Sequence, residues 1–300
     1  MAAVQTPANE TAPRPASAPI RARRRFVDIP GGQVHVRSAG EAMAGVPLLM
    51  FHASPGSSKM LEPLLLRFAD SRPVFAADTL GNGDSTPPAD PAPALDVFVT
   101  AHCQAMDALG LRQVDLYGSH TGANIACEIA IRRPERIRRL ILDGVSLYSE
   151  AERADMLAYY APTVVPSHDA AHLLWMWSFA RDAFLFWPWY RRDAAHARVV
   201  GLPSADALHD KFVEVAKAAR SYHLSYRAAI AYRKEARLRL VKVPTLLACA
   251  RTDMLLDYLD QVAALMPGAR KMVTPGFGDA AAAHESVALM LGFLNGSEPV

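Results

Sequence analysis

Tyr117-Gly118-Ser119-His120-Thr121-Gly122 is the stretch on which the fold turns. Before it, Val114 to Tyr117 has the short apolar character of a buried strand. After it, Ile125, Cys127 and Ile129 mark a helix. Two glycines flanking a central residue at two positions either side describe a sharp strand-to-helix turn, in which side chains at the glycine sites would collide with neighbouring backbone. That register makes His120 the centre, thrust toward any pocket above the strand ends. Ser119 stands one step early and points elsewhere.

On either side of this turn the chain alternates between short apolar runs and amphipathic helices. Gln33 to Arg37 reads as an early, partly exposed strand. Pro47 to His52 reads as a strand buried on both faces, followed by a helix with Leu61, Leu64, Leu65 and Phe68 on one side. Pro73 to Ala77, Leu140 to Leu142, Pro244 to Cys249 and Arg270 to Val273 are the further strands. A closing helix carries Val287, Met290, Leu291 and Leu294. Strands alternating with helices imply an α/β fold with a mostly parallel sheet covered on both faces. Residues 147–240 break the rhythm with a helical segment dense in aromatics, including Trp175, Trp177, Trp187 and Trp189. The expected organisation is a tail over 1–25, a core over 26–146 and 241–297, and a helical cap over 147–240.

Composition narrows the function classes. The 300 residues are 51% hydrophobic and 21% charged, the profile of a globular chain with a large core. No apolar run is long enough to cross a bilayer, and the first 25 residues lack the apolar stretch of a secretory signal. Cys103, Cys127 and Cys249 are odd in number and scattered, so free thiols in a reducing, cytoplasmic setting are expected. Residues 1–25 carry a net charge of +4, leaving the rest near −2. That body offers no footprint for nucleic acid. The Pro-rich, Arg-bearing start reads as a flexible tail or a targeting peptide. A small molecule is the expected partner; the sequence is silent on oligomeric state.

Four segments resemble the α/β-hydrolase superfamily, in its capped form. His52-Ala53-Ser54-Pro55-Gly56-Ser57-Ser58 is similar to its His-Gly turn, and Asp78-Thr79-Leu80-Gly81-Asn82-Gly83-Asp84-Ser85 to its D-x-x-G-x-G-x-S turn. Tyr117 to Gly122 stands at its nucleophile elbow, and Asp253 follows a buried strand where the triad acid usually sits. The resemblance implies an α/β-hydrolase fold without a cofactor. It also implies an oxyanion hole made by the Ala53 and Thr121 N–H groups.

The chain departs from the pattern twice. The elbow carries His120 where the family has Ser, Asp or Cys, and the family's base histidine is replaced in Gly276-Phe277-Gly278-Asp279. The elbow and base-loop residues are hydrogen-bond neighbours in the family fold. A His120–Asp279 dyad with exchanged roles is therefore expected, with His120 as general base or nucleophile, or as the relic of a lost site. Asp279 is alternatively a helix N-cap. His284 shares a face with Val287, Leu291 and Leu294 on that reading, and reaches the pocket floor or packs. Asp253 with His284 is the second candidate pair, and a divalent metal held by His120, His284, Asp253 and Asp279 lacks supporting spacing. Asp143 is a strand-end residue or an alternative acid. His52, Ser54, Trp175, Trp177 and Trp187 are candidate substrate contacts, although His52 also suits a turn-shaping role. The expected function is an enzyme on a small, largely apolar ester, lactone or cleavable ketone. A lyase or isomerase using the same base, and a silent small-molecule binder, are the alternatives.

Overall fold

The computed structural model describes residues 20–296. The tail expected over 1–25 falls outside it up to residue 19. Its last three residues belong to the core: Arg23, Arg24 and Arg25 lie in β1 (Arg23–Ile29), paired with Ser38, Arg37 and Val36 of β2 (Gly32–Ala39). The correction has a local cause. Arg25 is held by Glu41 at 2.5 Å and its guanidinium lies over the Phe75 ring, so a charge that suits a tail is anchored at a sheet edge.

The chain continues through β3 (Leu48–Phe51), α1 (Ser58–Ala69), β4 (Val74–Ala77), α2 (Leu95–Ala108), β5 (Val114–Ser119), α3 (Thr121–Arg132) and β6 (Ile137–Asp143). Five helices follow: α4 (Glu150–Tyr159), α5 (Ala171–Leu185), α6 (Ala205–Lys217), α7 (Tyr222–Ala231) and α8 (Lys234–Leu238). β7 (Thr245–Ala250), α9 (Leu259–Leu265), β8 (Arg270–Thr274) and α10 (Ala280–Asn295) complete it. The eight strands lie in the order β1-β2-β4-β3-β5-β6-β7-β8. β2 is antiparallel to both its neighbours, and every pairing from β4 to β8 is parallel.

Strand alternation builds two cores. Leu49, Phe51, Leu116 and Leu142 face one side with residues of α2, α3 and α9, whereas Leu48, Met50, Tyr117 and Ile141 face the other with α1 and α10. This is why the central strands are continuous apolar runs. The helices between β6 and β7 have a third core of their own, including Met156, Phe179, Trp189, Val215 and Tyr222. Burying a large apolar side chain stabilises by roughly 1.5–3 kcal/mol, and in this cluster the burial is among the helices themselves. Glu128 of α3 fastens them to the sheet, accepting from Tyr232 Oη at 2.6 Å and from Arg237 Nη2 at 2.5 Å.

Candidate active site

The turn after β5 places His120 at φ 51° and ψ −106°, a conformation that L-residues rarely adopt. Both flanking glycines are required by space. A Cβ at Gly118 would meet the Gly122 carbonyl oxygen at 2.3 Å, and one at Gly122 would meet that of Phe51 at 2.2 Å. The His120 N–H donates to the Asp143 carbonyl at 2.9 Å, and Ala123 N–H donates back to the His120 carbonyl at 3.0 Å. The strain is thus held by the strand end on one side and the helix start on the other.

The imidazole pairs with Asp253: His120 Nε2 stands 2.8 Å from Asp253 Oδ2. Asp253 follows β7 and is held by its own turn, its Oδ1 accepting from Leu255 N–H at 2.8 Å. Burial works against both charges, but the pairing outweighs it. Asp253 holds the His120 ring above its ordinary pKa, and His120 holds the Asp253 carboxyl below its own. Gly144, at the end of β6, makes room for the pair. A Cβ there would lie 2.7 Å from His120 Cδ2 and Nε2. Asp143 accepts from Tyr117 Oη at 2.6 Å, and burial, with the neighbouring Asp253 charge, pushes its carboxyl up to about 6.

Asp279, expected beside His120, is exposed and caps α10, accepting from Ala281 and Ala282 N–H at 2.9 and 2.8 Å. An aspartate opening a helix finds two donors within its own turn, and these satisfy it locally. His284 is exposed too. The buried stripe of α10 runs through Ala283, Val287, Met290 and Leu294, and His284 lies about 100° round the helix from Ala283. Neither residue joins His120, so the four-residue metal set does not assemble.

Above the pair lies a cavity of about 290 Å³ between the strand ends and the helices of the insertion. Its walls include Ala53, Ser54, His120 and Thr121 from the core side, and Phe179, Phe184, Trp187 and Ile230 from the insertion. Thr121 N–H opens α3 and has no acceptor within the helix. His52 is not in the wall. It is fully buried, Nδ1–H donating to the Ala53 carbonyl and Nε2 accepting from Thr79 N–H, both at 2.9 Å, so it shapes the turn that presents Ala53. Burial keeps its pKa below the ordinary value, which suits a neutral ring with one donor and one acceptor.

Among the tryptophans only Trp187 lines the cavity. Trp175 stacks on Phe179, Trp177 packs edge-on against Phe212, and Trp189 donates from Nε1 to the Tyr160 carbonyl at 2.9 Å. These rings pack in or against the insertion's own core, so Trp175 and Trp177, expected as substrate contacts, do not line this cavity. Sequence reading missed Tyr148, Tyr160, Tyr226, Arg198 and Lys211, all in the wall. They are scattered over α6, α7 and the connecting loops, with no shared spacing to mark them.

Helix α6 clasps the turns below it. Lys211 bonds the Pro55 carbonyl, Glu214 accepts from Ser57 Oγ, and Lys217 pairs with Asp84 at 2.8 Å. Spaced three apart, the three side chains fall on one helix face and grip both glycine turns.

A family model described as the alpha/beta hydrolase fold matches residues 46–282. The 2-hydroxymuconate semialdehyde hydrolase of Pseudomonas sp. (strain CF600) is 45% identical over 104 residues, 34% of this chain and 37% of that protein. The proline iminopeptidase of Heyndrickxia coagulans is 32% identical over 123 residues, 41% of this chain and 43% of that protein. The chain thus aligns with about two fifths of the length of these relatives. Among solved structures, the enol-lactonase from Burkholderia xenovorans LB400 superposes with a TM-score of 0.68 at 17% identity, covering 90% of this chain and 100% of that one. With the family match extending over most of its length and the sheet order to go with it, the chain belongs to the α/β-hydrolase fold family.

Proposed function

We propose that this protein is a hydrolase of small carbonyl compounds, an ester, lactone or cleavable ketone, run by a His120–Asp253 dyad. The observation that carries the reading is the 2.8 Å contact between His120 Nε2 and Asp253 Oδ2 on a strained turn facing the cavity. Asp253 accepts the Nε2 proton and so leaves Nδ1 as the basic nitrogen, which takes a proton from water as the water attacks the carbonyl. The imidazolium that forms is supported by the Asp253 charge. Ala53 and Thr121 N–H act in this reading as the donors that stabilise the oxyanion. His120 occupies the nucleophile elbow in this reading, and Ser119 is a wall residue without a chemical role.

The relatives support the class of substrate. Those matched include a semialdehyde hydrolase, and the fold neighbours include an enol-lactonase. The helices of residues 147–240 act as the cap that closes the site, and the apolar rings on their inner side favour an apolar substrate body. The test is turnover of a panel of aryl esters, lactones and β-diketones by the protein and by His120→Ala. Acid released by the protein and lost in the variant supports hydrolysis. Product without uptake of water would assign the dyad to a lyase or isomerase instead, and ligand-induced stabilisation without turnover would leave a binding protein.

A further inference from the structure

Tyr226, Ala229 and Ile230 of α7 look into the cavity above His120, while Leu224, Arg227, Ala228 and Ala231 of the same helix line a second cleft. At about 100° per residue the two sets fall on opposite faces, so α7 is a wall shared by two cavities. Helix α3 runs between them in the same way. Thr121 and Asn124 reach the first cavity, and Glu128 and Arg132, one and two turns beyond Asn124, reach the second. The second cleft holds about 880 Å³, against about 290 Å³ for the first, and lies within the roughly 300–1,000 Å³ usual for small-molecule sites.

Much of the second lining is apolar: Pro91 and Pro93 of the link before α2, Leu157 of α4, and Leu224, Ala228 and Tyr232. Charge enters as three arginines and two acids, and the acids are already satisfied. Glu128 accepts from Arg132 Nε at 3.0 Å, from Arg237 Nη2 at 2.5 Å and from Tyr232, and Asp96 pairs with Arg132. Arg227 alone of the five has no ion pair among the described residues, which leaves the cleft one positive charge. His223 stands one turn back on α7, beside it. Burial, with the Arg227 charge, holds that imidazole below its ordinary pKa, and its Nδ1 is buried without a partner. An anion at Arg227 would relieve both groups, since it offsets the positive charge that His223 feels.

We propose that this cleft is a second ligand site, taking a small carboxylate with an apolar body: the carboxylate on Arg227, the body against Pro91, Leu157, Leu224 and Tyr232. The planar fork of the guanidinium matches the two carboxylate oxygens. Release of water from the apolar walls supplies the rest of the affinity. Glu128 and Asp96 add little repulsion, because each is bound by at least one arginine. The site does not depend on the chemistry assigned to His120. It shares two elements with it, however: α3 and α7 carry residues of both cavities, so a ligand here bears on the helices that wall the first.

The experiment is calorimetric titration of the full-length protein with naphthalene-2-carboxylate and with naphthalene-2-carboxamide at pH 7. The carboxylate should bind roughly three- to tenfold more tightly, as suits a fork-shaped ion pair at an exposed arginine. Arg227→Gln should remove that preference and leave the amide within about twofold, and Arg227→Lys should restore part of it. Ala231 is an exposed position on the cleft wall, facing away from His120, so Ala231→Trp should remove one binding site for both ligands. Thermal melting establishes that each variant is folded; should Ala231→Trp fail, the two changes at exposed Arg227 carry the comparison. Binding unchanged in Arg227→Gln and Ala231→Trp would put the ligand in the His120 cavity and overturn the proposal. Equal affinity for acid and amide, or binding of neither, would overturn it as well. Binding is read without turnover, so a protein that takes the acid here but hydrolyses nothing keeps this inference and loses the preceding one.

Discussion

His120 and Asp253 meet across the end of β6: the histidine follows β5, the aspartate follows β7, and Nε2 and Oδ2 are 2.8 Å apart. The strand between them ends at Asp143-Gly144, and the missing side chain at Gly144 leaves the space in which the ring lies. A parallel sheet collects such loops at the carboxyl ends of its strands, so residues 133 positions apart in sequence become partners.

Gly144→Ala tests that space. The residue sits at φ 71° and its new methyl would lie 2.7 Å from the imidazole. We expect a destabilisation of roughly 1–3 kcal/mol in denaturant unfolding, together with a fall in rate of about 10²-fold as the ring is displaced. A variant with wild-type stability and rate would mean that the pair does not depend on this glycine.

Asp279→Ala separates the capping role from the catalytic one. Loss of the cap should cost about 1 kcal/mol of stability, while kcat/KM stays within about twofold of the parent. A rate loss above about tenfold, at a temperature where the variant is folded, would return Asp279 to the mechanism.

The pair also shapes pH dependence. His120 is raised above its ordinary value, so its stabilising contribution is complete below about pH 6.5 and is lost as pH rises through the folded pKa. Asp253 is lowered, so its contribution is complete above about pH 4 and is lost as pH falls through the folded pKa. The stability gap between the parent and Asp253→Asn should be widest between these limits and shrink on either side. Activity needs the neutral ring and should rise with pH through a midpoint above about 6.5. A gap that is flat from pH 4 to 9 would contradict the pairing.

Trp187 is the indole in the cavity wall, and the other three belong to the packing of the insertion. Ligand-dependent fluorescence should therefore vanish in Trp187→Phe and persist in Trp175→Phe and Trp177→Phe. The reverse pattern would remove Trp187 from the site.

Much of this was legible in the residues alone, for reasons that can be named. Buried strands such as Leu48–Phe51 announce themselves because both faces are covered, and Gly118 and Gly122 fix the register of His120 because backbone crowds both positions. The sequence points His120 to Asp279 and Asp253 to His284, whereas the fold brings His120 to Asp253. The decision lay in the direction of the ring, set by the space above Gly144, and Asp143-Gly144 looks in sequence like any strand end. His284 was misplaced because the α10 stripe is set by Ala283 and Met290, one residue out of step with it. The aromatic block gave the insertion but not its lining, since a ring packed among helices and one facing a cavity are the same letter.

The most direct test of the account is the kcat/KM of His120→Ala, Asp253→Asn and the double variant on a substrate the parent turns over. Each single change should lower the rate by roughly 10²–10⁴, and the double should be little worse than either, because a base and the carboxylate that orients it act as one unit. Losses that multiply would show that His120 and Asp253 work independently, and the dyad would have to be abandoned.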